Sequence, residues 1–115
     1  MVDRVLVIDD SPEDLGVMKS ILEKEGFEVV TASNGADALD LLESDGFKLA
    51  LIDIKMPTLS GYDLLRLLRE RVKHAVRIIY ISIVPEQEVD MDDIDGFVQK
   101  PFSSESLMSK VREVL

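Results

Sequence analysis

Apolar residues fall along this chain in two alternating rhythms. Short β-branched runs occupy residues 5–8, 28–31, 49–52, 77–81 and 96–99. Each is too short for a typical helix and reads as a strand. The segments between them repeat every three or four residues. Leu15, Met18, Ile21 and Leu22 follow a start signal, Ser11 as cap with Pro12 at the first helical position, and Gly26 stops the helix. A second helix follows Asn34-Gly35 and carries Ala38, Leu39 and Leu42 on one face; a third follows Ser60 and carries Leu64, Leu65, Leu68 and Val72. A last helix begins near Ser103 and presents Leu107, Met108, Val111, Val114 and Leu115 on one side. The stretch EQEVDMDDID at 86–95 breaks the rhythm. With six acidic residues and little apolar periodicity, it predicts a fourth helix that is short or irregular. Strands that are apolar throughout, alternating with amphipathic helices, predict a parallel sheet covered on both faces and joined by right-handed crossovers. The expected fold class is α/β, a doubly wound five-stranded sandwich.

Composition narrows the functional classes. At 115 residues, without internal repeat or Pro/Ser-rich linker, the chain reads as one domain over 1–115. Its 46% hydrophobic and 31% charged residues predict a packed core. No apolar run approaches the roughly 18 residues of a membrane span, and the start MVDRVLVIDD has an acidic pair where a signal peptide needs apolar length. A cytoplasmic protein without membrane contact is expected. Having no cysteine, the chain has no disulfide framework and no thiolate metal chemistry. A net charge of -10 repels a phosphate backbone, which argues against nucleic acid and for proteins or metal ions as partners.

In open α/β sheets, ligands bind at the carboxyl ends of the strands where the strand order reverses. Here the first strand leads into Asp9-Asp10, the third into Asp53, the fourth into Ser82 and the fifth into Lys100. Three carboxylates brought together repel and raise one another's pKa unless a cation compensates. Oxygen-only ligands without His or Cys suit Mg²⁺, which keeps waters and shares a phosphate oxygen. Lys100 supplies a point charge for a phosphoryl group, and the Ser82 hydroxyl could donate a hydrogen bond to it. A carboxylate can itself accept a phosphoryl group, and Asp53, alone at a central strand end, is the natural acceptor.

Taken together, "VLVIDDSPED", "LALIDIKMPTLSGYDLL", "IIYIS" and "FVQKPF", in that order and spacing, resemble the receiver domain of two-component response regulators, of the CheY-like type, over essentially the whole chain. The resemblance implies a 2-1-3-4-5 strand order. It implies that Asp53 is the phosphorylated aspartate, that Asp10, Asp53 and the Lys55 backbone carbonyl are Mg²⁺ ligands, and that Asp9 acts largely through water. Ser82 matches the switch hydroxyl and Lys100 the phosphate-pairing lysine. Phe97 matches the rotating aromatic, and Lys100-Pro101 falls at a cis peptide. The implied function is a phosphorylation-controlled signalling switch rather than a conventional enzyme. A histidine kinase or histidine phosphotransfer protein would donate the phosphoryl group, and the receiver would assist only its own phosphorylation and dephosphorylation. Ser82 and Phe97 would then shift a two-state surface toward a downstream effector or an attached output domain.

Some features depart from the family's pattern. Ser82 and Lys100 are closer together than usual, Ile83 stands where Ala or Gly is general and could crowd Asp53 or Ser82, and Lys55 and Val84 occupy the positions that tune dephosphorylation. With neither acid nor amide at either tuner, slow loss of the phosphoryl group is expected. Plainer readings stand beside these. Asp9-Asp10 could serve the first helix as N-terminal anions, Asp53 and Ser82 could be turn and capping residues, and Lys100 could be a solvated lysine. Phe97 could be core packing, His74 a solvated surface residue, and the acidic run a solvated face that also suits a basic partner surface. Two functional alternatives remain: a pseudo-receiver that binds partners without phosphorylation, and a Mg²⁺-dependent phosphohydrolase of the haloacid dehalogenase type. The second expects Asp-x-Asp at the nucleophile, whereas Lys55 stands two positions after Asp53.

Overall fold

The computed structural model describes residues 2–44, 46–72 and 75–115; His74 lies outside them. Five parallel strands, β1 (Arg4–Ile8), β2 (Glu28–Ala32), β3 (Leu49–Asp53), β4 (Arg77–Ser82) and β5 (Gly96–Gln99), form one sheet in the order β2-β1-β3-β4-β5. Among the described residues, four helices cover it: α1 (Pro12–Lys24), α2 (Gly35–Ser44), α3 (Gly61–Arg71) and α4 (Ser104–Val114). Strands β3 and β4 each run one residue further than their apolar runs, so Asp53 and Ser82 are themselves the last strand residues.

Alternation along the strands sorts the core into two layers. Leu6, Ile8, Ala50, Ile52, Ile78, Tyr80 and Phe97 face α2 and α3, whereas Val5, Val7, Leu49, Leu51, Ile79, Ile81 and Val98 face α1 and α4. Both sets are buried, which is why the strands read as unbroken apolar runs.

Local signals fix the helix starts. The Ser11 side chain accepts from the Asp14 N–H and Pro12 opens α1. Asn34 Oδ1 accepts from the Asp37 N–H at the start of α2, and Ser60 accepts from the Asp63 N–H at the start of α3. Ser103 and Ser106 cap α4 reciprocally. Gly26, at φ +94, turns the chain out of α1 in a conformation that L side chains rarely adopt.

One expected core residue is corrected. Leu115 follows the last turn of α4 and is 47% exposed, because α4 covers the sheet only through Val111 and, in part, Val114. The segment after β4 contains a three-residue 3₁₀ turn, Glu86–Glu88, where a fourth helix was expected to be short or irregular. Among the described residues, no helix is long and apolar enough to cross a membrane.

Candidate functional site

Sheet register builds the site. Ile8 pairs with Ile52, so the next residues, Asp9 just past β1 and Asp53 at the end of β3, stand side by side at neighbouring strand ends. Ser82 pairs with Gln99, and the Lys100 N–H donates to the Ser82 carbonyl at 2.8 Å, which sets Lys100 one step beyond β5. The Lys100–Pro101 peptide is cis. At the start of α3, the Gly61 N–H donates to the Ile54 carbonyl at 2.9 Å. A Cβ on Gly61 would lie 2.7 Å from the Asp53 carbonyl oxygen and 2.7 Å from the Ile54 Cα, so only glycine lets α3 press this closely on the end of β3.

Each of Asp9, Asp10 and Asp53 can offer one carboxylate oxygen, with all three within 4.8 Å of one another. Asp9 is fully buried, Asp53 is 5% exposed and Asp10 faces solvent. At an effective dielectric of about 20, like charges 4–5 Å apart repel by about 3–4 kcal/mol. One hydrogen bond returns about 1 kcal/mol, so the cluster needs positive charge.

Lys100 supplies part of it. Its Nζ lies 2.7 Å from Asp9 Oδ2, 2.9 Å from Asp14 Oδ2 and 3.7 Å from Asp53 Oδ2. The remaining Asp9 oxygen, Oδ1, accepts from the Ser11 N–H at 3.0 Å. Asp53 Oδ1 accepts from the Lys55 N–H at 3.3 Å.

The pKa shifts follow from this charge balance. Burial, then the neighbouring Asp9 charge and a hydrogen bond shared with Asp9, raise Asp53 to about 7 against the opposing pull of Lys100 and the Lys55 N–H. Burial alone would lower Lys100, but its hydrogen bonds to Asp9 and Asp14 and the charges of Asp53 and Asp9 raise it overall, so it stays an ammonium. The donor set is chemically suited to a hard divalent cation: it is all oxygen, over-supplied with negative charge, and open to solvent on the Asp10 side. With both Asp9 oxygens already accepting hydrogen bonds, Asp10 and Asp53 are the freer ligands.

Ser82 is fully buried, and its Oγ accepts from the Val84 N–H at 3.1 Å. Phe97 pairs with Tyr80 and lies in the core on the α2/α3 side. Ile83 is 63% exposed. Lys55 is exposed, and Val84 packs against the core.

Two contributors were not anticipated. Asp14, third residue of α1, reads in the sequence as a favourable first-turn acid, and only the tertiary approach of β5 makes it a partner of Lys100. Gln99 Nε2 donates to the Ser82 and Val84 carbonyls at 3.0 and 3.2 Å, stitching the chain after β4 to the end of β5. An amide at a strand end carries no signal of its own for that.

Comparison with known proteins decides the family. The response regulator receiver domain profile matches residues 5–112. The chain belongs to the response regulator receiver family. This receiver is 33% identical to the transcriptional regulatory protein CpxR of Escherichia coli over 98% of its length, and it spans about half of such relatives, 49% in that case. It is 30% identical to the protein PilH of Pseudomonas aeruginosa, with 97% of both chains covered. The response regulator TrrA of Thermotoga maritima, solved in complex with Mg²⁺-BeF, superposes with a TM-score of 0.89 at 32% identity over 99% of this receiver and 100% of that chain. In complex with the histidine kinase ThkA, TrrA superposes at 0.87 with 34% identity and 99% of each chain covered.

Proposed function

We propose that this receiver is a signalling switch that takes a phosphoryl group onto Asp53 from a phosphohistidine of a histidine kinase or histidine phosphotransfer protein. The observation that carries the reading is the position of Asp53. It is a buried carboxylate at the end of the central strand β3, flanked within 4.8 Å by two further carboxylates and 3.7 Å from a lysine ammonium. In the transfer, an Asp53 oxygen attacks phosphorus, a P–O bond forms, the P–N bond breaks, and the imidazole leaves with its electron pair and takes a proton. Asp10, Asp53 and the Lys55 carbonyl would hold Mg²⁺, with Asp9 acting through water. The cation supplies charge neutralisation at the phosphoryl oxygens. Lys100 pairs with the phosphoryl group, Ser82 leaves the Val84 N–H to donate to it, and Phe97 follows. The output surface lies along the segment after β4, β5 and α4, and it contacts an effector protein or an attached output domain. The switch works in the cytoplasm, without contacting nucleic acid or membrane through this domain. Residues 1–115 form the receiver unit.

The test is intact mass after incubation with Mg²⁺ and a small phosphodonor such as phosphoramidate. A phosphate adduct on wild type and none on Asp53→Ala is expected. The absence of an adduct across several donors overturns the switch and leaves phosphorylation-independent binding. Steady turnover of a phosphate ester would instead make the chain a phosphohydrolase. Without acid or amide at Lys55 or Val84, the adduct should persist well beyond seconds at neutral pH, and decay within seconds contradicts that.

A further inference from the structure

The three hydrogens of the Lys100 ammonium are not directed first at the proposed acceptor. They serve Asp9 at 2.7 Å and Asp14 at 2.9 Å, while Asp53 Oδ2, at 3.7 Å, lies beyond hydrogen-bond reach. We propose that Asp14 is a positioning residue that draws Lys100 away from Asp53, so that a phosphoryl group must compete with the Asp14 carboxylate for the lysine. The inference rests on the reading of Asp53 as the phosphoryl acceptor.

The local chain fixes this competitor in place. The Asp14 N–H donates to Ser11 Oγ at 3.2 Å, and the Ser11 N–H donates to Asp9 Oδ1 at 3.0 Å. The start of α1 is thereby tied to the end of β1, and the Asp14 carboxylate is carried by a capped first turn rather than a loose loop. Its side chain is 37% exposed, so it stays hydrated, whereas Lys100 retains only 12% exposure. The lysine is therefore confined among three acids, and its position depends on their relative pull. A phosphoryl group on Asp53 adds negative charge that competes with Asp14 for Lys100. Its capacity to draw the lysine is reduced by whatever Asp14 contributes to the unmodified state, since a ligand shifts an equilibrium only through its differential interaction. Asp14 acts through Lys100, to which its carboxylate is bonded.

The test uses beryllofluoride, a phosphoryl mimic, titrated calorimetrically in excess Mg²⁺ against wild type, Asp14→Asn, Asp14→Glu and Glu13→Gln. Asp14→Asn should bind roughly fivefold more tightly, the size of one partly exposed ion pair. Asp14→Glu, which keeps the charge, should match wild type. Glu13→Gln, which makes the same change in net charge from an exposed neighbouring position, should also match it. In the ligand-free protein, the Lys100 ammonium protons, followed by ¹⁵N NMR, should exchange with water faster in Asp14→Asn. Unchanged or weaker beryllofluoride binding by Asp14→Asn, an equal gain from Glu13→Gln, or unchanged ammonium exchange each overturns the proposal while the phosphoacceptor reading stands. Failure of wild type itself to bind beryllofluoride overturns that reading, and this proposal with it.

Discussion

The carboxyl ends of β1 and β3 and the segment that follows β4 are both crowded with carboxylates, yet opposite means hold them. At the first, Asp9 and Asp53 are buried and depend on Lys100. In the second, Glu86, Glu88, Asp90, Asp92 and Asp93 are exposed, and the chain is anchored by Val84, Val89 and Ile94 against the core. Two hydrogen bonds from α3 add to this: Tyr62 Oη accepts from the Asp90 N–H at 3.2 Å, and Arg69 Nη2 donates to the Asp93 carbonyl at 2.5 Å. A hydrated carboxylate is nearly free of cost, whereas a buried one destabilises the fold until a cation or a proton reaches it. The first region is thus tuned by charge, and the second by apolar packing.

The largest effect that separates the two is expected from Asp53→Asn. A group whose folded pKa rises from 3.8 to about 7 binds its proton more tightly in the folded chain. Its favourable contribution is complete below about pH 4 and is lost as pH rises through about 7. At pH 7–8 without divalent cations, Asp53→Asn should therefore be more stable than wild type by roughly 2–4 kcal/mol. The gap should close near pH 4 and narrow on adding Mg²⁺. Urea denaturation across pH, with and without Mg²⁺, checks this, and an equal gain at both pH extremes would show that charge is not the cause.

Gly61→Ala comes next, because its Cβ would press on the Asp53 carbonyl and the Ile54 Cα, both backbone atoms at 2.7 Å. Overpacking of this kind costs about 1–3 kcal/mol. Because the strain falls on the end of β3, phosphoryl uptake by Asp53 should fall along with stability. Uptake at the wild-type rate in the destabilised variant would mean that the close approach of α3 does not position the acceptor. In the acidic segment, Val89→Ala should cost about 1 kcal/mol through lost burial while leaving Mg²⁺ affinity unchanged. A fall in that affinity would join the two regions that the comparison separates.

What the sequence allowed to be read follows the same division. The strands and the cluster of Asp9, Asp10, Asp53 and Lys100 were legible because burial on both sheet faces writes continuous apolar runs and because charged residues at strand ends are conspicuous against them, whereas the strand order came only with the resemblance to the receiver family. Asp14 was not legible, since an acid three residues after Ser11 is already explained by the helix start. Nor was the engagement of Ser82 with the Val84 N–H, because a hydroxyl's direction is decided by unpaired backbone donors nearby. Leu115 was misplaced for a third reason: helical spacing continues past the point where the sheet stops offering a surface. The acidic run announced only that a regular helix would fail, while its fixation by Tyr62 and Arg69 depends on α3, 24 to 28 residues earlier in the chain.

The smallest expected effect tests that fixation. Tyr62→Phe removes the acceptor for the Asp90 N–H but preserves the edge-to-face contact with Tyr80, whose ring centroids lie 5.5 Å apart. Residue 90 is exposed, so water can replace the lost partner, and the global cost should stay near 0.5 kcal/mol. The change should instead appear as local opening. Amide hydrogen exchange at Asp90 should quicken several-fold, while the Lys55 amide, which donates to Asp53, should exchange as in wild type. The Arg69 bond to the Asp93 carbonyl does not involve Tyr62, so this second anchor should keep the opening local. Faster exchange at both Asp90 and Lys55 would mean that the acidic segment and the charge cluster open together, and the contrast between a region set by charge and one set by packing would then give way to a single mechanically coupled unit.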